Sequence, residues 1–154
     1  MKYIIDAYNL IACMEDLALS DPDKEARCIA LLKDYGIRPR DHFTLVFDNH
    51  GGHHAFARQE KHGAVTAVIT AQGQCADTHI AEYALAHKSN PNLTVVSSDR
   101  YIKDAAKKAR LACLRSEEFL GTYFTGQSHY APRPDSEVDV DYWLEVFSEE
   151  EDSG

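Results

Sequence analysis

The sequence predicts one α/β domain built on a parallel sheet, and three observations carry that expectation. Short apolar runs alternate with stretches of helical periodicity, the pattern of βαβ units whose sheet is covered on both faces. The length of 154 residues suits a single domain, since compact domains run to roughly 100–200 residues. No internal repeat interrupts the alternation. A chain of this size buries roughly 70% of its unfolded surface, so neither a disulfide nor a structural metal is needed to hold a core.

The elements follow in order. Tyr3-Ile4-Ile5 reads as a buried strand ending at Asp6. A helix begins after Ser20-Asp21-Pro22, runs through Cys28 to Tyr35 with Ile29, Leu31 and Leu32 apolar, and stops at Gly36. Phe43 to Phe47 is a second strand, ending at Asp48, and the polar loop Asn49-His50-Gly51-Gly52-His53-His54 follows. Ala64 to Thr70 makes a third strand. Helix signals run from Asp77 through Ile80, Tyr83, Ala84 and His87, until Ser89-Asn90-Pro91-Asn92 breaks them. Leu93 to Ser98 is a fourth strand ending at Asp99, Tyr101 to Arg110 is helical, and Leu111 to Leu114 reads as a fifth strand. The expected domain spans residues 1–124. Residues 125–147 are expected to form a linker and a docking helix, with Val138, Tyr142, Trp143, Val146 and Phe147 apolar. Residues 148–154 are read as a disordered acidic tail.

The cysteines Cys13, Cys28, Cys75 and Cys113 stand singly with no CxxC pair, which fits small buried hydrophobes in a reducing compartment. No apolar run approaches the ~20 residues of a membrane helix. Asp6 falls where a signal peptide would continue its apolar stretch. The expectation is a cytoplasmic protein with no membrane partner.

A formal charge of −9 argues against a nucleic-acid partner until its distribution is considered. Residues 135–154 hold nine acids and no Lys or Arg, so residues 1–134 are neutral, with 16 acids against 16 bases. Within that body, Arg100, Lys103, Lys107, Lys108, Arg110 and Arg115 oppose Asp104 alone, a local charge of +5 over residues 100–115. Such a stripe holds phosphates even on an acidic chain; the competing reading is a solvated helix face.

Asp6, Asp48 and Asp99 each directly follow an apolar strand, and Asp77 opens a helix after the third. In a parallel sheet the C-terminal strand ends share one edge, where ligands bind at the reversal of strand order. Four carboxylates gathered there repel one another, and a cation or retained protons must relieve them. Hard oxygen ligands suit Mg²⁺ or Mn²⁺. Taken singly, Asp77 and Asp99 are equally explained as N-caps and Asp48 as a turn residue; their joint placement at strand ends is not.

Asp6-Ala7-Tyr8-Asn9-Leu10-Ile11 resembles the DGYN-type opening of the YacP-like NYN domains, a branch of PIN-like nucleases. Phe47-Asp48 is similar to the family's second motif, Ala76-Asp77-Thr78-His79-Ile80 to the third, and Val96-Ser97-Ser98-Asp99-Arg100 to the fourth. The closing S-x-x-F pattern is similar to Ser116-Glu117-Glu118-Phe119, so the resemblance spans residues 2–120 in order. It implies a PIN-like, Rossmann-like domain with helices flanking a central parallel sheet, and a metal-dependent endoribonuclease. Asp6, Asp48, Asp77 and Asp99 would then be metal-binding and catalytic, with Asn9 a neutral polar member of the site. One relative is associated with ribosomes and messenger RNA, so the resemblance implies RNA, and translated RNA in particular, as substrate and the ribosome as partner. Ala7 replaces a frequent Gly, and Thr78 and His79 stand where relatives often add a carboxylate, which bears on a second metal and on full activity.

Beyond the acids, Ser98, Arg100, Lys103 and Lys107 are candidates to hold substrate phosphates, against the readings of helix cap and solvated face. Asn9 either positions a phosphate or closes an Asx-turn. His50, His53 and His54 lack the cysteines of a zinc site and read as a polar loop. Tyr8 and Tyr101 flank the acids and could stack on bases or simply pack at the rim. Two rivals remain: a non-catalytic RNA- or ribosome-binding module of the same fold, and another Mg²⁺ enzyme such as a haloacid-dehalogenase-type phosphatase. The second lacks its D-x-D-x-T opening, because Asp6-Ala7-Tyr8-Asn9 has no second Asp.

Overall fold

Ile4 and Ile5 are adjacent and both fully apolar, so the strand carrying them must be covered on both faces, and Lys2–Asp6 (β1) takes the centre of the sheet. The computed structural model describes residues 1–15, 17–33, 40–48, 58–71 and 73–124. After β1 come Ala7–Cys13 (α1), Lys24–Leu31 (α2), His42–Phe47 (β2), Arg58–His62 (β3) and Val65–Ile69 (β4). Ala76–Ala86 (α3), Leu93–Val96 (β5), Arg100–Lys108 (α4), Ala112–Leu114 (β6) and Ser116–Phe124 (α5) complete the described chain.

The six strands form one sheet in the order β3-β4-β2-β1-β5-β6. Every neighbouring pair is parallel except β3 with β4. Strand order reverses at β1, which pairs with β2 on one side and with β5 on the other. The alternating pleat sends Ile5 and Ile4 to opposite layers. Ile5 joins Leu10, Ile11, Phe43, Leu45, Phe119 and Leu120, the layer built with α1 and α5. Ile4 joins Val46, Ile80, Val95, Ile102 and Ala106, the layer built with α3 and α4.

The α/β architecture therefore stands, with the sheet mostly rather than wholly parallel. The extra strand, β3, is Arg58-Gln59-Glu60-Lys61-His62, exposed along nearly its whole length. It carries no apolar signal because it is an edge strand, and its charges discourage pairing with another chain. Gly63, at φ +68°, supplies the positive φ that the two-residue connection to β4 requires at its first position. Two helices also escaped the sequence reading: α1, which begins immediately after β1, and α5. No helix of the described residues is long and apolar enough to cross a membrane. The expected stop at Gly36, the histidine loop, the linker, the C-terminal helix and the acidic tail lie outside the described residues.

Phe119 connects the sheet to its last helix. It is fully buried, and its ring meets Tyr3 and Phe43 edge-on at 5.7 Å each. Truncating such a residue loses its burial and leaves a cavity, so Phe119→Ala should cost about 3–5 kcal/mol in urea unfolding. A loss below 1 kcal/mol would mean that α5 is not anchored there.

Candidate active site

Each strand-end aspartate meets a different local constraint. Asp6 ends β1 and occupies the N-cap position of α1, with extended backbone at φ −72° and ψ 101°. Only 5% of it is exposed. Burial is the main force that pushes its pKa up to about 7; the negative charges of Asp99, Asp77 and Asp48 push the same way. The Asn9 backbone N–H lies near enough to lower it somewhat, but no side-chain bond closes the cap. Asp48, Asp77 and Asp99 thus each act on Asp6 at the C-terminal edge of the sheet.

Asp99 lies three residues beyond Val96, which pairs with Ile5, so it stands beside Asp6 at the point where strand order reverses. It is also a true N-cap: its Oδ1 accepts from the Tyr101 and Ile102 backbone N–H groups at 2.8 and 3.2 Å. Both bonds fall on one oxygen. Asp48 follows β2 by one residue and is half-buried. Asp77 is not the cap of α3; Cys75 holds that position, and Asp77 sits in the first turn with its Oδ1 accepting from the Thr78 N–H. Cys75 lies close enough to both Asp48 and Asp77 that, after burial, their charges help raise its pKa.

Asn9 has a different place from the one expected. Its Oδ1 accepts from the Ser98 backbone N–H at 2.9 Å and from the Ser116 hydroxyl at 2.6 Å, tying α1 to the β5–α4 loop and to the start of α5. Ser98 is committed too. Its hydroxyl is shared between the two carboxylate oxygens of Glu117 at 3.0 and 3.1 Å and accepts from the Ser116 N–H. Ser97 Oγ accepts from the Asp99 N–H at 3.0 Å, fixing the loop from within. Asn9 and Ser98 therefore hold the loop that carries Asp99.

Glu117 is the residue that sequence reasoning missed. Burial raises its pKa, but its own backbone N–H, the Ser98 hydroxyl and Arg115 outweigh this and leave it below the usual carboxylate range. Arg115 Nε donates to it at 3.2 Å. The signal was present, since Glu117 is an acid just beyond a short strand, as Asp48 and Asp99 are.

Tyr8 is occupied: its hydroxyl donates to Glu25 at 3.0 Å and its ring meets Phe47 edge-on. Tyr101 is exposed. Arg100, Lys103, Lys107 and Lys108 are exposed on α4. Between α4 and the β6 edge lies a groove of about 540 Å³ walled by Lys103, Lys107 and Arg115 over Leu111 and Cys113. Asp104 and Glu118 also border it.

No three His, Cys, Asp or Glu side chains among the described residues stand close enough to enclose a metal ion as they are. The chemistry of the donors nevertheless fits one. Asp6 is a buried hard-oxygen ligand whose ionisation is opposed by burial and by three like charges, and a divalent cation removes that opposition.

A family model of the YacP-like NYN domain matches residues 3–129. Among solved structures, a mutant form of Rae1 (YacP) from Bacillus subtilis superposes with a TM-score of 0.62 at 21% identity, covering 81% of this chain and 75% of that one. A second crystal structure of Bacillus subtilis Rae1 (YacP) gives 0.60 at 17% identity, covering 100% of this chain and 85% of the other. At these identities the likeness is one of fold. No curated protein matches the sequence.

The raised pKa of Asp6 couples stability to pH. A carboxyl that ionises near 4 unfolded and near 7 folded favours the folded state fully below pH 4, and that contribution is lost as pH rises to 7. Metal-free protein should therefore lose stability across pH 4–7 through this group, by an amount on the order of 4 kcal/mol. Asp6→Asn should flatten that slope. Urea unfolding at stepped pH in the presence of a chelator measures both, and parallel profiles for the two proteins would show that Asp6 ionises normally.

Proposed function

The chain belongs to the YacP-like NYN domain family, and from that membership we propose that it is a divalent-metal-dependent endoribonuclease. The observation that supports this best is the buried Asp6 carboxyl held at the strand-order reversal under the influence of Asp48, Asp77 and Asp99. Burying an acid among acids is costly for stability and is accounted for by a cationic ligand.

Asp6 and Asp99 would hold Mg²⁺ or Mn²⁺ directly, with Asp48 and Asp77 engaging it through water or accepting a second ion. When bound, the ion would supply Lewis acidity, lowering the pKa of an attacking water and offsetting charge that develops on the phosphate. The protein's own residues do the rest. Asp99 keeps Oδ2 clear of the bonds that cap α4. Asn9, Ser98 and Ser116 fix the loop on which Asp99 stands. Arg100, Lys103 and Lys107 would hold the flanking phosphates of the RNA. Translated messenger RNA is the substrate class we favour, with the ribosome as its setting and the cytoplasm as its compartment.

A non-catalytic RNA- or ribosome-binding module is the second reading, and the open spacing of the acids favours it. Asp6→Asn separates the two. Cleavage of a structured and a single-stranded RNA in Mn²⁺ should fall by at least ~100-fold, while RNA affinity holds or rises. Mn²⁺ should raise the Tm of the wild type and leave that of Asp6→Asn unmoved. Equal cleavage by the two proteins, or none by the wild type, would retire the nuclease reading.

Phosphate binding has its own test. Lys103→Glu with Lys107→Glu should weaken RNA binding and reduce its salt slope by about two, one per lost phosphate contact. An unchanged affinity across the salt series would make α4 an ordinary solvated face.

A further inference from the structure

Of the large apolar side chains on the described surface, Tyr101 is the most exposed, at 56%. Its hydroxyl has no hydrogen-bond partner and its ring no aromatic neighbour among the described residues. Tyr8, by contrast, is engaged at both ends, through Glu25 and Phe47. A lone exposed aromatic is ordinary on a protein surface. The position of this one is what counts.

Three constraints fix that position. Tyr101 is the second residue of α4, and its backbone N–H donates to Asp99 Oδ1 at 2.8 Å, so the ring is carried on the turn that the aspartate caps. Side chains of an α-helix lean toward its N-terminus, and the N-terminus of α4 lies at the C-terminal edge of the sheet, on the rim of the acidic site. Helical spacing sets the flank. Ile102, Ala105 and Ala106 are buried, and Lys103 lines the groove on the β6 side. Residues two apart are turned roughly 200° about the helix axis, so Tyr101 falls on the other flank. That flank faces α3, which packs beside α4 in the same layer and carries Asp77 in its first turn. The ring is thus set at the rim between the two N-terminal turns that bear Asp77 and Asp99.

We propose, on the nuclease reading given above, that Tyr101 is a stacking platform for one unpaired base beside the phosphate that the aspartates address, and that it makes the site selective for single-stranded RNA. Acids, lysines and a metal ion address phosphate, which single strand and duplex share; telling them apart needs a group that addresses bases. An aromatic ring on a helical turn accepts any base, because each has a π-face. The base must first have left its stack, and a nucleotide inside a duplex has both faces covered by its neighbours. The ring rather than the hydroxyl does this, so Phe in the same place should serve as well.

Two measurements test the platform, one of them independent of cleavage. In Mn²⁺, Tyr101→Ala should lower kcat/KM for a single-stranded RNA by about 5- to 100-fold, the range for losing one base–aromatic stack, and leave that for a duplex of the same sequence nearly unchanged. Tyr101→Phe should keep the wild-type preference, and both variants should keep the wild-type Tm because the side chain is exposed. A wild type that cuts single strand and duplex equally, or a single-strand preference that survives Tyr101→Ala, would overturn the platform and leave the nuclease reading intact. For the second measurement, Asp6→Asn protein is irradiated with a single-stranded oligouridylate carrying 5-iodouridine, and the adducts are located by peptide mass spectrometry. Adducts should form at Tyr101, and excess unlabelled single strand, but not duplex, should suppress them. Adducts confined to other residues, or no binding of the oligonucleotide, would also overturn the proposal. If the wild type cuts no RNA while Tyr101 is labelled, the nuclease reading fails and the platform stands as part of a binding module.

Discussion

A carboxyl buried at the end of the central strand is the constraint on which the rest of this structure turns. Asp6 is placed there by the two isoleucines before it, which need both faces of the sheet and so force β1 into the middle. Strand order reverses at this same central strand, the place where open α/β sheets carry their ligands. Burial of Ile4 and Ile5 and burial of Asp6 are thus one event. The apolar residues gain from it, and the carboxyl bears the cost in a pKa near 7.

That cost has to be held in place, because a loop free to move would swing Asp99 away and relieve the repulsion. The polar network under the β5–α4 connection prevents this. Asn9 from α1 and Ser116 from α5 hold Ser98; Ser98 binds Glu117, Glu117 binds Arg115, and Ser97 holds the Asp99 amide. Every member pairs with another, the condition under which a half-buried polar cluster rigidifies its surroundings rather than weakening them. The same network joins acids to bases, since Arg115 stands at the wall of the α4 groove while Glu117 reaches the loop of Asp99.

Much of this was legible in the sequence, for reasons that differ by residue. The strands β1, β2, β4 and β5 are apolar because they are internal, and an internal strand announces itself. Asp6, Asp48 and Asp99, at or just beyond the ends of β1, β2 and β5, were legible because position in a parallel sheet is fixed by order alone. β3 was hidden by its edge position, which removes the need for apolar residues. Asn9 reads from the sequence as a phosphate-positioning or turn residue because a polar side chain after a strand gives no hint of partners 89 and 107 positions away. Glu117 was passed over inside a motif whose named positions are Ser116 and Phe119. Local pattern reports burial and caps; it does not report which polar groups the fold will bring together.

The distribution of charge carries the argument one step further. On the nuclease reading proposed above, a site built from four acids would repel the phosphates of its substrate, and cations set apart from it would have to gather them. Helix α4 is placed for that role: Asp99 caps its N-terminus, and Arg100, Lys103 and Lys107 recur along it at helical spacing. Acid at one end and base along the side place attraction beside repulsion on a single nine-residue element. The lysines are useful there only while no carboxylate of their own helix neutralises them, and none pairs with them among the described residues.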